Sequence, residues 1–192
     1  MKASKKSALN NIEELAGAES RRLLDPYGII PLIPIQPDHN VGDIGCGPGI
    51  FSIPLAKYLF SGKLYAFDTQ EFMLDQITCS LKSINLNNIE LKLFSESSIP
   101  LEDNVLDGVF VSLTLEKSSC PNLVLDEIKR IIKQFGWLTI ISAIKKPKET
   151  TNIKYNYIPK LKLNRMIEKL GFKRLSQREL NELYYLSIYK CQ

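Results

Sequence analysis

Val41-Gly42-Asp43-Ile44-Gly45-Cys46-Gly47-Pro48-Gly49 is the stretch on which the fold turns. Val41–Ile44 reads as a short strand that runs into three glycines at alternate positions, and a helix follows over about Ile50–Phe60. A strand that ends in a glycine loop and enters a helix sets its ligand at the strand's C-terminal edge. Backbone amides and the helix N-terminus there suit a polar or anionic group. The spacing is Gly45-x-Gly47-x-Gly49 with Ile50 next. A dinucleotide fingerprint puts its third small residue at position 50, where Ile50 would obstruct the close helix–strand approach beneath a pyrophosphate. Asp43, two residues before the first glycine, would repel a pyrophosphate but attract an ammonium. Both features argue against a nicotinamide dinucleotide.

Outward from the loop, strands and helices alternate. A strand at Lys63–Phe67 ends at Asp68, whose carboxylate can accept two ribose hydroxyls. Asp68 or Thr69 could equally cap the next helix, Gln70–Ile84, which turns Phe72, Met73, Ile77 and Leu81 to one face. Glu90–Phe94 alternates as a strand, and the apolar run Gly108–Leu113 suits a strand covered on both faces. Pro121 opens a helix that the pattern extends to about Gln134, with Leu125, Ile128, Ile131 and Ile132 inward and Gly136 as its stop. Trp137–Ile144 returns as a strand. After the polar segment Lys145–Pro159, a helix over Lys160–Leu170 ends at Gly171, and strands follow near Phe172–Leu175 and Tyr184–Tyr189. This alternation predicts an α/β, Rossmann-like doubly wound fold with a mostly parallel seven-stranded sheet and an antiparallel ribbon at one edge.

Residues 1–10 read as a frayed tail. Asn10 or Asn11 would cap a helix to about Leu24, broken at Asp25-Pro26 because the residue before proline leaves the helical region. The organisation expected is a single domain, in which segment 1–30 covers the site and 31–192 forms the body. At 192 residues the chain is long enough for one core. No apolar run nears the ~20 residues of a membrane span, and no apolar core follows the N-terminal lysines as in a signal peptide. A bacterial-type cytoplasmic location is the expectation. Cys46, Cys79, Cys120 and Cys191 lack metal-ligand spacing and read as free thiols. The single histidine, His39, reads as a loop residue, so no metal is expected. Charge is uneven. Residues 145–174 carry ten Lys/Arg against Glu149 and Glu168, a net +8, whereas the rest carries 15 basic and 19 acidic residues, a net −4. That asymmetry admits RNA or an acidic partner, although a solvated basic face accounts for it more simply.

The stretch Val41–Gly49 with Leu64-Tyr65-Ala66-Phe67-Asp68 resembles the cofactor motifs of class I methyltransferases, which use S-adenosylmethionine (SAM). The similarity continues through Ile99–Val109, Glu127–Lys133 and Gly136-Trp137-Leu138, and it is nearest to the broad type-11 set of small bacterial enzymes. The resemblance implies that Asp43 holds the methionine amino group. It implies that Gly45, Cys46, Gly47 and Gly49 form the cofactor loop and that Asp68 binds the ribose, with Thr69 and Met73 beside the adenosine. The register of the family's adenine-contacting acidic residue falls on Ser95, with Glu96 next to it. Leu113 or Thr114 would face the cofactor, and Leu115-Glu116-Lys117 stands where many relatives carry histidines. S-adenosylhomocysteine (SAH) would be the product.

No residue reads as an obvious general base, and the NPPY-like motif of amino-nitrogen methylation is absent. Asp25, Tyr27, Glu116, Tyr155 and Tyr157 are pocket-mouth positions with structural or exposed roles as the simpler reading. The N-terminal helix, with Arg21 and Arg22, and the segment Lys145–Pro159 are expected to order over cofactor and acceptor. The acceptor expected is a small molecule, with RNA behind it and arsenic chemistry disfavoured by the scattered cysteines. A SAM-binding accessory or sensor protein is the alternative class.

Overall fold

A computed structural model describes residues 23–145 and 156–192. The expected N-terminal helix lies outside these residues apart from Leu23 and Leu24, as does most of the polar segment after Ile144. Asp25 accepts hydrogen bonds from the backbone of Tyr27 and Gly28 and so caps a short helix, α1 (Pro26–Ile29). A 3-10 turn (Ile30–Leu32) and an irregular run lead to β1 (Asn40–Ile44). There follow α2 (Ser52–Tyr58), β2 (Lys63–Asp68), α3 (Glu71–Leu81), β3 (Ile89–Leu93), β4 (Leu106–Ser112), α4 (Pro121–Ile131), β5 (Ile132–Ala143), α5 (Lys160–Lys169), β6 (Phe172–Glu179) and β7 (Tyr184–Cys191).

The seven strands form one sheet in the order β3-β2-β1-β4-β5-β7-β6. β1 to β5 are parallel, and β7 is antiparallel to both β5 and β6. The expected α/β doubly wound sheet with an antiparallel edge ribbon is thus the observed one. The order reverses at β1, where β2 lies on one side and β4 on the other. Crossovers on opposite faces leave a crevice at the C-terminal end of such a strand. One face of the sheet is packed by Ile128 and Ile131 of α4 with Leu163 and Ile167 of α5. The other is packed by Leu55 and Ala56 of α2 and the apolar residues around α1, chiefly Ile29, Ile33 and Ile35. Among the described residues no helix is long and apolar enough to cross a membrane.

Two expectations need correction. The helix opened by Pro121 ends at Ile131 rather than Gln134, and Gly136 does not stop it. The carbonyls of Arg130 and Ile131 instead accept the N–H groups of Asn104 and Val105. Ile132 then pairs with Leu106 as the first residue of β5, and Phe135 takes the left-handed turn at φ 64°. On α3 the buried face is Met73, Leu74 and Ile77, with Phe72 only half-buried.

Candidate functional site

A cavity of about 400 Å³ opens at the C-terminal edge of β1, β2 and β4. Its floor is the glycine loop. The N–H groups of Gly45 and Cys46 both donate to Phe67 O, at 2.8 and 2.9 Å, which ties the loop to the end of β2. Gly45 has φ 73°, and a β-carbon on it would collide with the Thr114 side chain. Thr114 Oγ1 in turn donates to Ile44 O at 2.9 Å, so the loop and the end of β4 close on each other. Gly47, at φ 53°, faces open space, with nothing within 4 Å of its missing β-carbon. Gly49 packs instead on α3, where a β-carbon would lie 2.8 Å from Ile77 Cγ1.

Two buried carboxyls flank this loop. Asp43 is 2% exposed and accepts a 2.6 Å hydrogen bond from Ser52 Oγ at the start of α2. Burial pushes its pKa up to about 7, the Ser52 hydrogen bond opposes the rise, and the nearby Asp68 adds to it. Asp68 is 7% exposed and accepts from Gly47 N at 2.8 Å and from Gln70 N at 3.0 Å. Burial raises its pKa as well, against the pull of those two amides and of Lys117. Asp68 is therefore not the cap of α3, whose N-cap is Gln70. Cys46 lines the cavity, but burial first, then Asp43 and Asp68, push its thiol pKa up, so a nucleophilic thiolate is disfavoured there.

Of the residues expected at the site, Asp43, Gly45, Cys46, Gly47, Asp68, Thr69, Met73, Glu96 and Leu113 line this cavity. Gly49 and Ser95 do not. Ser95 pairs with Ser98 in a small bridge, and Gly49 sets the packing behind the loop. Glu96 spends its carboxylate on the chain itself. Its oxygens accept from Ser119 N, Ser119 Oγ and Cys120 N at 2.7–3.1 Å, bracing the loop ahead of α4. Burial alone would raise its pKa, but these donors prevail and leave it lowered. His39 is a fastening residue: its Nδ1 accepts from Gln36 N and Trp137 Nε1, both at 3.2 Å.

Sequence reasoning placed Leu113 or Thr114 at the cofactor but missed the conformation of the wall after β4 and the part that Lys117 and Ser118 take in it. Leu113 is buried against the cavity in the left-handed region at φ 55°, a conformation that costs a leucine roughly 1–2 kcal/mol. Lys117 is the one cation among the described residues that line the cavity. Glu116 is no mouth residue. It is 1% exposed, with one carboxyl oxygen accepting from Ser142 Oγ and, at 3.2 Å, from Ala143 N. Burial raises its pKa against those donors. Tyr157 is also structural, donating to Ile144 O at 2.8 Å. Tyr155 lies outside the described residues. Tyr27 is 66% exposed, whereas Leu24 is buried and lines the cavity.

Comparison with known proteins agrees with this geometry. The family model for the methyltransferase domain matches residues 42–140, just over half of the chain. A SAM-dependent methyltransferase of Aquifex aeolicus is similar in structure, with TM-score 0.84 and 26% identity over 95% of this chain and 98% of that one. An uncharacterised methyltransferase of Schizosaccharomyces pombe is 30% identical over 126 residues, 60% of this chain and 45% of its own length. The ribosomal protein L11 methyltransferase of Helicobacter pylori is 31% identical over 80% of this chain and 40% of its own. The chain thus spans under half the length of these curated relatives.

Proposed function

Because this chain belongs to the class I SAM-dependent methyltransferases, we propose that it transfers the methyl group of SAM to a small-molecule acceptor in the cavity above β1 and β4. The observation that carries this reading is the pair of buried carboxyls, Asp43 and Asp68, flanking a loop whose backbone is bare at Gly47. The donor set fits the cofactor. Asp43, with Ser52 as its only hydrogen-bond partner among the described residues, would take the ammonium, and Asp68 the ribose hydroxyls. Thr69 and Met73 would flank the adenosine, with Glu96 on the adenine side and Leu113 across from it. Bound SAM supplies a methyl group on a sulfonium, open to in-line displacement. The protein's share is to align the acceptor and exclude water, and alignment alone can contribute up to ~7–11 kcal/mol.

At about 400 Å³ the cavity lies in the roughly 300–1,000 Å³ range of small-ligand pockets and suits the cofactor itself. An RNA acceptor is the second reading, and the basic residues on and around α5, among them Lys160, Lys162 and Arg165, are what favour it. Segment 1–30 is read as a cover over the cavity of domain 31–192, a role that Leu24 in the cavity wall supports. The free thiols suit a cytoplasmic, bacterial-type setting.

Calorimetric titration with SAM, SAH and NAD tests the reading. Binding of the two adenosyl ligands but not NAD is expected, followed by methyl release into a metabolite pool. Adenosyl binding without any methyl release would point to an accessory or sensor protein, and tight NAD binding would overturn the assignment.

A pH series gives a sharper check on Asp43. Without ligand its carboxyl keeps its proton up to about pH 7, against 3.8 for a free one. The folded form thus holds the proton more tightly than the unfolded chain. Stability falls as pH rises through that window, by on the order of 4 kcal/mol in all. An ammonium ligand needs the carboxylate. Affinity for SAH should therefore climb between pH 5 and 7, by up to about tenfold per unit. Asp43→Asn should flatten the slope, and so should 5′-methylthioadenosine, which lacks the amino acid. An equal slope for both ligands would remove Asp43 from the ammonium site.

A further inference from the structure

The wall Leu113–Ser118 presents a physical problem that its own residues do not solve. Leu113 lines the cavity in a backbone conformation that L-residues avoid, and such a conformation persists only where the surroundings over-determine it. The turn that follows carries Thr114, Lys117 and Ser118, which also line the cavity. Its near end is held by Leu113 N donating to Ile141 O at 3.0 Å and by Thr114 Oγ1 donating to Ile44 O at 2.9 Å. Its far end is held by Glu116. The carboxyl takes Ser142 Oγ and Ala143 N at the end of β5, and the Glu116 carbonyl accepts Asn156 N at 2.7 Å. Asn156 Nδ2 then donates to Ser118 O at 3.2 Å. Ser142, Ala143 and Asn156, the partners of Glu116 among the described residues, do not line the cavity, so its grip is spent on placing the wall.

We propose that Glu116 is a positioning residue of the transfer site, clamping the left-handed turn at Leu113–Ser118 onto the end of β5 and so setting where Leu113, Thr114 and Lys117 meet the bound adenosyl ligand. The inference rests on the cofactor-site reading above. A second buried oxygen donor, Tyr185, lies across from Ser142 in the β5–β7 register, and its hydroxyl has no hydrogen-bond partner among the described residues. Tyr185 belongs to β7 and not to the wall, so even where its hydroxyl takes up Ser142 it does not restore the link from Leu113–Ser118 to the end of β5. A carboxamide reproduces the grip, because its carbonyl oxygen accepts from the same two donors. An alanine withdraws the acceptor from both donors and unties the wall from β5.

The test measures SAH affinity by calorimetry, and hydrogen exchange of residues 113–118, in Glu116→Ala and Glu116→Gln. Ile167→Ala, a cavity variant in the core beneath α5, serves as a control for general destabilisation. Glu116→Ala should bind SAH at least tenfold more weakly and exchange faster at 113–118. Glu116→Gln should restore affinity to within about threefold, and Ile167→Ala should keep affinity despite a lowered melting temperature. Should Glu116→Ala fail to fold, Ser142→Ala removes one of the two donors and should weaken SAH about threefold. Unchanged affinity in Glu116→Ala, or an equal loss in Ile167→Ala, would overturn the positioning role and leave the cofactor site intact. Failure of the unsubstituted protein to bind SAH would overturn both.

Discussion

Asp68→Ala should weaken SAM and SAH binding at least a hundredfold while leaving the protein folded. The carboxylate stands at the C-terminal end of β2 and lines the cavity. Two hydrogen bonds to an ionised acceptor are worth about 1.5–3 kcal/mol each, and 1.4 kcal/mol is a factor of ten. The same side chain holds Gly47 N and Gln70 N, so its removal also loosens the floor on which the ligand would lie. Folding should not suffer in proportion. Burial penalises the Asp68 charge, so deleting it relieves one cost while it forfeits two amide contacts. The expected signature is a melting temperature within a few degrees of the parent and a binding isotherm that has all but vanished. Asp68→Asn should fall between the two, since it keeps an acceptor oxygen and loses the charge. Retention of full SAH affinity in Asp68→Ala would move the ribose contact elsewhere.

Gly108→Ala should do the reverse, wrecking stability at a position outside the candidate site. Gly108 lies in β4 opposite Trp137 of β5, and the indole folds so closely over it that a β-carbon would lie 1.9 Å from Trp137 Cε2. Neither partner is free to yield. β4 is hydrogen-bonded on both sides, to β1 and β5, and the indole is 5% exposed with its N–H tied to His39. Overpacking typically costs 1–3 kcal/mol where side chains can adjust. Here about 3 kcal/mol or more is expected, a drop in melting temperature of roughly 6–12 °C for a chain of this size. Trp137→Leu in the same chain should recover part of the loss by opening the space. A Gly108→Ala protein that melts with the parent would show that the indole can swing aside.

The glycine loop made the central part of this fold legible because its constraints are local. Strand, loop and helix follow within Asn40–Tyr58, and the alternation of apolar residues carries the pattern on to β7. Asp43 and Asp68 were legible for the same reason, since each sits a fixed step from a strand end. What escaped was decided by partners distant in the chain. The early end of α4 depends on Asn104 and Val105 capturing the carbonyls of Arg130 and Ile131. No feature near Gln134 signals that. For Glu116 the sequence left mouth, structural and exposed roles open, because the donors that bury it, Ser142 Oγ and Ala143 N, lie on another strand. Nor could the sequence show that Glu96, beside the adenine register at Ser95, also braces Ser119 and Cys120 with both its oxygens. A run of Ser118-Ser119-Cys120 before Pro121 is the one sequence hint that the start of α4 needs an outside acceptor.

The placement of β7 between β5 and β6 has a consequence for how the chain is made. β6 leaves the ribosome before β7, yet its neighbour in the sheet is β7 and not β5. It has nothing to pair with until Tyr184–Cys191 emerges. Until then the long strand Trp137–Ala143 keeps an unpaired edge, which is an invitation to wrong pairing in a crowded cell. The two last strands must dock as one hairpin, late, and a nascent chain stalled ahead of Tyr184 would be a ready substrate for chaperones.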